Sequence, residues 1–285
     1  MFIITTAVGE AFLSWEDVIL MVRLTVTRRM VDSFGSADAY NEIRWVRQSC
    51  RSGKEAVFKL GQRLSGKPLQ FVIGNQPFNS AVIQCIPPTL IPRQETEFWV
   101  DKLIARFCDN RQLRVLDLCT GSGCIGVSIA KELHCDSVVV VDSSPKACKL
   151  ATINARNNLT KEQLERFEVK QMDILSESID LSSYNVITIN PPYITQRDYK
   201  TLHSEVRDWE DKDALLAGGD EYGLVFYKRM IYLLKDAFNK QVWMEVGYNQ
   251  AQLVVKLAKQ SGVANVELIE DPFNDRINRV VILHL

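Results

Sequence analysis

Proline is missing from the first 67 residues although the chain carries 9 of them, so nothing there breaks helices in the way a pyrrolidine ring would. Histidine is almost as scarce: His134 and His203 look peripheral and His284 is next to last, which leaves no obvious catalytic imidazole. There is no C-x-x-C pair. The 7 cysteines, at 50, 85, 108, 119, 124, 135 and 148, are an odd number in apolar or mixed segments, which argues against a disulfide framework or a zinc site and for a reducing compartment. No apolar run is long enough to span a bilayer; the best, over 18–26, is interrupted by Arg23 and falls short of the roughly 20 residues required. Nor does either sign of charge dominate. With 34 basic against 35 acidic residues, no global field draws the chain to nucleic acid or anionic lipid, and any such contact must be local.

What is present is the composition of a packed globular enzyme: 46% hydrophobic and 24% charged residues in 285, a length that suits one large or two unequal domains. In residues 1–67, Trp45, Val46, Val57, Phe58, Leu60 and Leu64 recur at helix-like spacing, which predicts a small helical domain. Its stretch 35–67 holds seven basic residues against three acidic ones, read here as a solvated helix face. Gly66-Lys67-Pro68 marks a break. Beyond it, alternating apolar and polar positions between prolines predict a hairpin-like connector over 68–92, and Phe98, Val100, Leu103, Ile104 and Phe107 predict a helix over 95–108. Over 93–285 short apolar runs alternate with helical segments, as in a parallel α/β sheet. Seven strands are expected at 115–118, 138–141, 167–170, 186–189, 242–246, 266–269 and 280–283, with helices at about 124–133, 145–157, 221–237 and 249–260.

The first of these strands runs into Cys119-Thr120-Gly121-Ser122-Gly123-Cys124-Ile125-Gly126, whose last six residues form G-x-G-x-x-G at the opening of a helix. Gly121 and Gly123 can take backbone angles closed to other residues and let the main chain approach a ligand. Nineteen residues after Gly123 the next apolar run ends in Asp142, placed to accept hydrogen bonds from ribose hydroxyls. These features fit a nicotinamide dinucleotide and S-adenosylmethionine equally well. After the third strand, Asp173 could accept from an adenine amino group, with Ile174 packing on the ring. The fourth strand delivers Asn190-Pro191-Pro192-Tyr193. The prolines have no N–H and a fixed φ, so their carbonyls are free to accept from an outside donor. The Asn190 side-chain carbonyl and the Pro191 carbonyl can each take one N–H of a planar amide or amine, with Tyr193 on its plane, an arrangement suited to attack on a methyl sulfonium.

The segment 117–126, Asp142, Asp173 and residues 190–193 resemble a class I S-adenosylmethionine-dependent methyltransferase with an Asn-Pro-Pro-Tyr motif. Four further segments, 66–74, 90–97, 213–224 and 274–281, resemble the HemK/PrmC family of protein-(glutamine-N5) methyltransferases acting on peptide chain release factors. The resemblance runs from about residue 40 to the C-terminus. It implies a Rossmann-like seven-stranded sheet preceded by a helical substrate-binding domain (1–67) and a β-hairpin connector (68–92), the methyltransferase domain being 93–285. It also implies S-adenosyl-L-methionine as cofactor, held by Cys119, Thr120, Gly121, Ser122, Gly123, Asp142 and Asn190, and as substrate the Gln of a release factor's Gly-Gly-Gln loop, held by Asn190 and Pro191. The chain departs from the family pattern at Cys119, where glycine is usual, at Gln94 (proline), at Phe71 (tyrosine) and at Ile174 (an aromatic).

The leading alternative is an RNA or DNA amino methyltransferase, which would use the same clamp on a flipped base but normally shows a stronger basic footprint. A nicotinamide dehydrogenase leaves residues 190–193 unexplained, and a noncatalytic docking protein leaves the intact Gly121, Gly123, Asp142 and Asn190 unexplained. No metal, membrane or stable nucleic-acid partner is expected, and a monomer is. Arg23, Arg28 and Arg29 among serines and threonines in the first 34 residues point toward the mitochondrial matrix, and Glu10, Glu16 and Asp17 toward the cytoplasm.

Overall fold

Residues 2–6, 9–13, 15–235, 238–274 and 277–285 are described by the structure, a computed structural model, with side chains described from Val22 onward. The chain divides into two compact units, Met1–Gly74 and Asn75–Leu285. The first unit opens with an antiparallel pair, β1 (Phe2–Thr6) and β2 (Gly9–Leu13), before the helices α1 (Trp15–Phe34), α2 (Ser36–Gln48), α3 (Gly53–Leu64) and α4 (Leu69–Ile73). The all-helical expectation for 1–67 therefore fails at its start, where the β-branched run Ile3-Ile4-Thr5-Thr6 favours extended backbone. Met30, Ala39, Val46, Leu60 and Val72 form this unit's core. A two-bonded ion pair joins α3 to α2, Arg63 Nε donating to Glu42 Oε2 at 2.8 Å and Nη2 to Oε1 at 3.0 Å. Residues 69–73, expected to begin the hairpin, instead make one helical turn that Gly74 ends at φ 93°.

The hairpin itself is β3 (Asn75–Phe78) and β4 (Ala81–Gln84), counted with the second unit. Its outer edge is not left bare. Asn154 and Asn158 receive the N–H groups of Gln84 and Val82 at 2.7 and 2.9 Å and donate back to the same residues' carbonyls, which fastens the hairpin to the helix that carries both asparagines.

The remaining elements are α5 (Gln94–Phe107), β5 (Leu113–Leu118), α6 (Cys124–Glu132), β6 (Cys135–Asp142), α7 (Pro145–Asn158), α8 (Lys161–Glu165), β7 (Phe167–Gln171) and β8 (Val186–Ile189). Three short helices follow, α9 (Gln196–Tyr199), α10 (Ser204–Arg207) and α11 (Lys212–Leu215), then α12 (Val225–Leu233), β9 (Gln241–Glu245), α13 (Ala251–Gln260), β10 (Asn265–Glu270) and β11 (Asn278–His284). All seven expected strands are present in one sheet of order β10-β11-β9-β8-β5-β6-β7, parallel except for β11. Successive residues on each strand face opposite sides. Val115, Val138 and Val140 pack with Trp99, Leu103 and Ile125 on one face, while Leu116, Val139 and Val141 pack with Tyr227, Met230 and Met244 on the other.

The helix expected over 221–237 starts only at Val225, because Gly218, Gly219 and Gly223 take φ of 69°, 61° and 68° and hold the preceding segment as a loop. The last residues of that expectation, Asp236 and Ala237, lie outside the described residues, as do Asp275 and Arg276 of the 274–281 segment. Strand order reverses at β5, which has β6 on one side and β8 on the other. In such sheets the crevice at the carboxyl ends of the two strands flanking the reversal is where ligands bind.

Candidate active site

The turn after β5 is shaped by backbone conformation. Cys119, Gly121 and Gly123 have φ of 56°, 56° and 83°, the left-handed region in which a side chain is strained. Gly123 needs its glycine twice, since a Cβ there would come within 3.0 Å of Ala151. Gly126 serves packing: a Cβ would meet Val140 at 2.3 Å, and its N–H donates to Asp117 Oδ2 at 3.3 Å. Cys119 stands where the family pattern has glycine, and the φ explains why glycine is usual there. Desolvation raises its thiol pKa well above the ordinary value, which favours the protonated thiol.

Asp117, fully buried on β5, accepts from the hydroxyl of Thr120 in the turn and, at 2.7 Å, from that of Thr188 on β8, tying the two strand ends together. Burial outweighs these bonds and lifts its pKa to about 6. At the end of β6, Asp142 Oδ2 accepts from Gly121 N at 2.8 Å and Oδ1 from Ser144 N at 2.9 Å, which leaves further lone pairs on both oxygens. Burial raises its pKa too.

These ends surround an open cleft. Cys119, Gly121, Asp142, Asp173, Ile174, Asn190 and Pro192 line it, and a smaller adjoining recess adds Thr120 and Ser122 beside Cys119 and Asn190. Gly123, Pro191 and Tyr193 adjoin lining residues in sequence without lining either space themselves. Tyr193 is expected to lay its ring on the plane of the substrate amide. The ring packs against the β9 side of the core, and a Cβ at residue 247 would come 3.0 Å from it, so Gly247 makes the room. Asp173 spends one bond from each oxygen locally, accepting from Leu175 N and the Ser176 hydroxyl at 2.9 Å each.

Charge decides which ligand the cleft fits. Its walls carry four carboxylates, Asp142, Asp173, Asp211 and Asp213, and no lysine or arginine among the described residues. A dinucleotide's anionic pyrophosphate would be repelled there, whereas S-adenosylmethionine, whose sulfonium and ammonium outweigh its one carboxylate, carries a net positive charge. With the left-handed turn and the free acceptors of Asp142, the residues present fit that cofactor.

Residues that sequence reasoning passed over hold the Asn190 end in place. Thr96 and Glu245 sit behind Asn190, 2% and 1% exposed, with Thr96 Oγ1 2.7 Å from Glu245 Oε2 and 3.5 Å from Asn190 Nδ2. Gln250 is saturated: its Nε2 donates to the Tyr193 and Tyr222 carbonyls at 2.9 and 2.7 Å, and its Oε1 accepts from Gly247 N at 2.8 Å. Arg93 clasps buried Glu210 at 2.6 Å beside the cleft-lining segment 211–214. A glutamate closing the apolar run of β9, together with Arg93 and Thr96 in the 90–97 segment, is the sequence signal that could have pointed to this network.

A parallel sheet with one reversed strand, a glycine turn, and a cation-friendly cleft at the strand reversal define a class I S-adenosylmethionine-dependent methyltransferase. Residues 95–245 match the family model described as methyltransferase small domain. Among solved structures, the catalytic domain of hMettl16 in complex with MAT2A 3'UTR hairpin 6 shares the fold with a TM-score of 0.57 at 16% identity, over 79% of this chain and 81% of that one. The release factor glutamine methyltransferase of Thermodesulfovibrio yellowstonii is 36% identical over 230 residues, 78% of each chain. The probable MRF1 mitochondrial N(5)-glutamine methyltransferase mtq1 of Schizosaccharomyces pombe is 36% identical over 193 residues, 63% of this chain and 61% of its own. The chain belongs to the release factor glutamine methyltransferase family.

Proposed function

We propose that this chain methylates the side-chain nitrogen of the Gln in the Gly-Gly-Gln loop of a peptide chain release factor, and so supports translation termination. The observation that carries the reading is the position of Asn190 on the walls of both the cleft and its recess, at the end of β8 and ahead of two buried prolines. Bound S-adenosylmethionine supplies a methyl group on a sulfonium. Cys119 to Gly123, Asp142, Asp173 and Ile174 hold that cofactor, while Asn190 Oδ1 and the Pro191 carbonyl each accept one N–H of the substrate amide. An amide nitrogen is a weak nucleophile because its lone pair is conjugated. Fixing both N–H bonds sets the nitrogen's direction of approach and favours positive charge on it in the transition state. Pro192 keeps the backbone rigid, and Tyr193, anchored by Gln250, fixes the chain that follows. The nitrogen sheds a proton once methylated, so no strong general base is required.

The helical unit before the sheet is proposed to hold the release factor, and the mitochondrial matrix is proposed as the location, on the strength of Arg23, Arg28 and Arg29 and the mitochondrial relative. No helix among the described residues is long and apolar enough to cross a membrane. The test is incubation with methyl-labelled cofactor and, separately, purified release factor and total RNA. Label entering the factor is expected. Label entering RNA alone would replace this reading with the nucleic-acid one.

A further inference from the structure

The amide of an asparagine keeps nearly the same outline when turned over about its last bond, but it then shows the site a donor instead of an acceptor. Only one of the two settings lets Asn190 accept a substrate N–H. Something must choose between them, and the group behind Asn190 is able to. Asn190 Nδ2 lies 3.5 Å from Thr96 Oγ1, and that hydroxyl lies 2.7 Å from Glu245 Oε2. Trp99 Nε1, which can only donate, gives its proton to the same Glu245 oxygen at 2.8 Å. A threonine hydroxyl has a single proton. With Glu245 Oε2 accepting, Thr96 spends that proton there and turns a lone pair toward Asn190. Only the NH2 side of the amide can meet a lone pair; the other setting would oppose two oxygens.

We infer that Thr96, backed by Glu245, is a positioning residue that turns the Asn190 carbonyl toward the substrate, an inference that rests on the amide-clamp reading above. Thr96 borders the recess but is only 2% exposed, and Trp99 and Glu245 behind it are 0% and 1% exposed, so the carboxylate is the acceptor fixed within its reach. The other carboxylate oxygen, Glu245 Oε1, is buried with no partner among the described residues. Burial also raises the pKa of this carboxyl. The relay runs in this direction with Glu245 ionised, when both of its oxygens are acceptors. The three groups meet from α5, the end of β8 and the end of β9, with Thr96 and Glu245 149 residues apart, so no local turn produces the arrangement.

Two substitutions in the full chain separate the hydroxyl from the space it fills, Thr96→Val and Thr96→Ser, assayed on intact release factor with cofactor affinity measured by calorimetry. Thr96→Val should lower kcat by about ten- to a hundredfold, the scale of a misplaced reacting group. KM for the factor and the cofactor Kd should stay within about threefold, which marks an interaction felt mainly in the transition state. Thr96→Ser should recover most of the loss. Full activity of Thr96→Val, or equal damage from both substitutions, would overturn the inference. Normal turnover by Asn190→Ala would instead remove the clamp reading beneath it. Should Thr96→Val fail to fold, neutron diffraction from deuterated crystals of the unaltered protein decides: a Thr96 deuteron pointing at Glu245 is expected, and one pointing at Asn190 overturns the assignment.

Discussion

The ends of β5 and β8 lie side by side in the sheet, yet they are built by different means. After β5 the chain is shaped by its own backbone: three residues with positive φ fold a turn in which Gly121 gives its N–H to Asp142. After β8 two prolines remove donors, and the direction of the one polar side chain is set by groups from α5 and β9. The first design suits a cofactor that every turnover presents in the same way. The second suits a reaction in which one amide must be held with its nitrogen exposed. Asp117 joins them, since it accepts from Thr120 on one end and Thr188 on the other.

If this division of labour is right, damage at the two ends should separate cleanly. Asn190→Ala should lower turnover by about a hundred- to a thousandfold, the cost of removing one positioned hydrogen-bonding group from a transition state, with cofactor affinity by calorimetry little changed. Asp117→Asn probes the joint. Because burial raises the Asp117 pKa to about 6, the folded state favours its protonated form; its contribution is complete below about pH 4 and is lost as pH rises through 6. The unaltered protein should therefore lose about 3 kcal/mol over that window that the variant does not, read from urea unfolding at a series of pH values. Asp142→Ala should weaken cofactor binding by about 1.5 to 3 kcal/mol without reversing which substrate is used, and unchanged affinity would strip Asp142 of its role. Cys119→Gly is the smallest change. Relief of a left-handed conformation worth about 1–2 kcal/mol is offset by glycine's freedom when unfolded, about 0.5–1 kcal/mol, so a net gain of about 0–1.5 kcal/mol is expected in denaturant unfolding.

The same contrast explains how much could be read beforehand. Gly121, Gly123, Asp142 at the end of β6 and Asp173 just after β7 stand at fixed offsets from apolar runs, so the glycine turn and the acids of the cleft were legible from spacing, and the seven strands from their apolar cores. Thr96, Glu245 and Gln250 lie far apart in the chain and owe their roles to a sheet that brings them together, which periodicity does not reveal. The setting of Tyr193 was illegible for a related reason: its packing depends on the space left by Gly247, 54 positions away. The β1–β2 pair was missed because helix spacing farther along was extended over a short β-branched run.

Peptide mass spectrometry of a release factor incubated with S-adenosylmethionine and this protein tests the central claim most directly. One methyl group on the side chain of the Gly-Gly-Gln glutamine, absent when Asn190→Ala replaces the unaltered protein, is the expected result. A methyl group elsewhere on the factor, or the same modification made equally well by Asn190→Ala, would contradict the account.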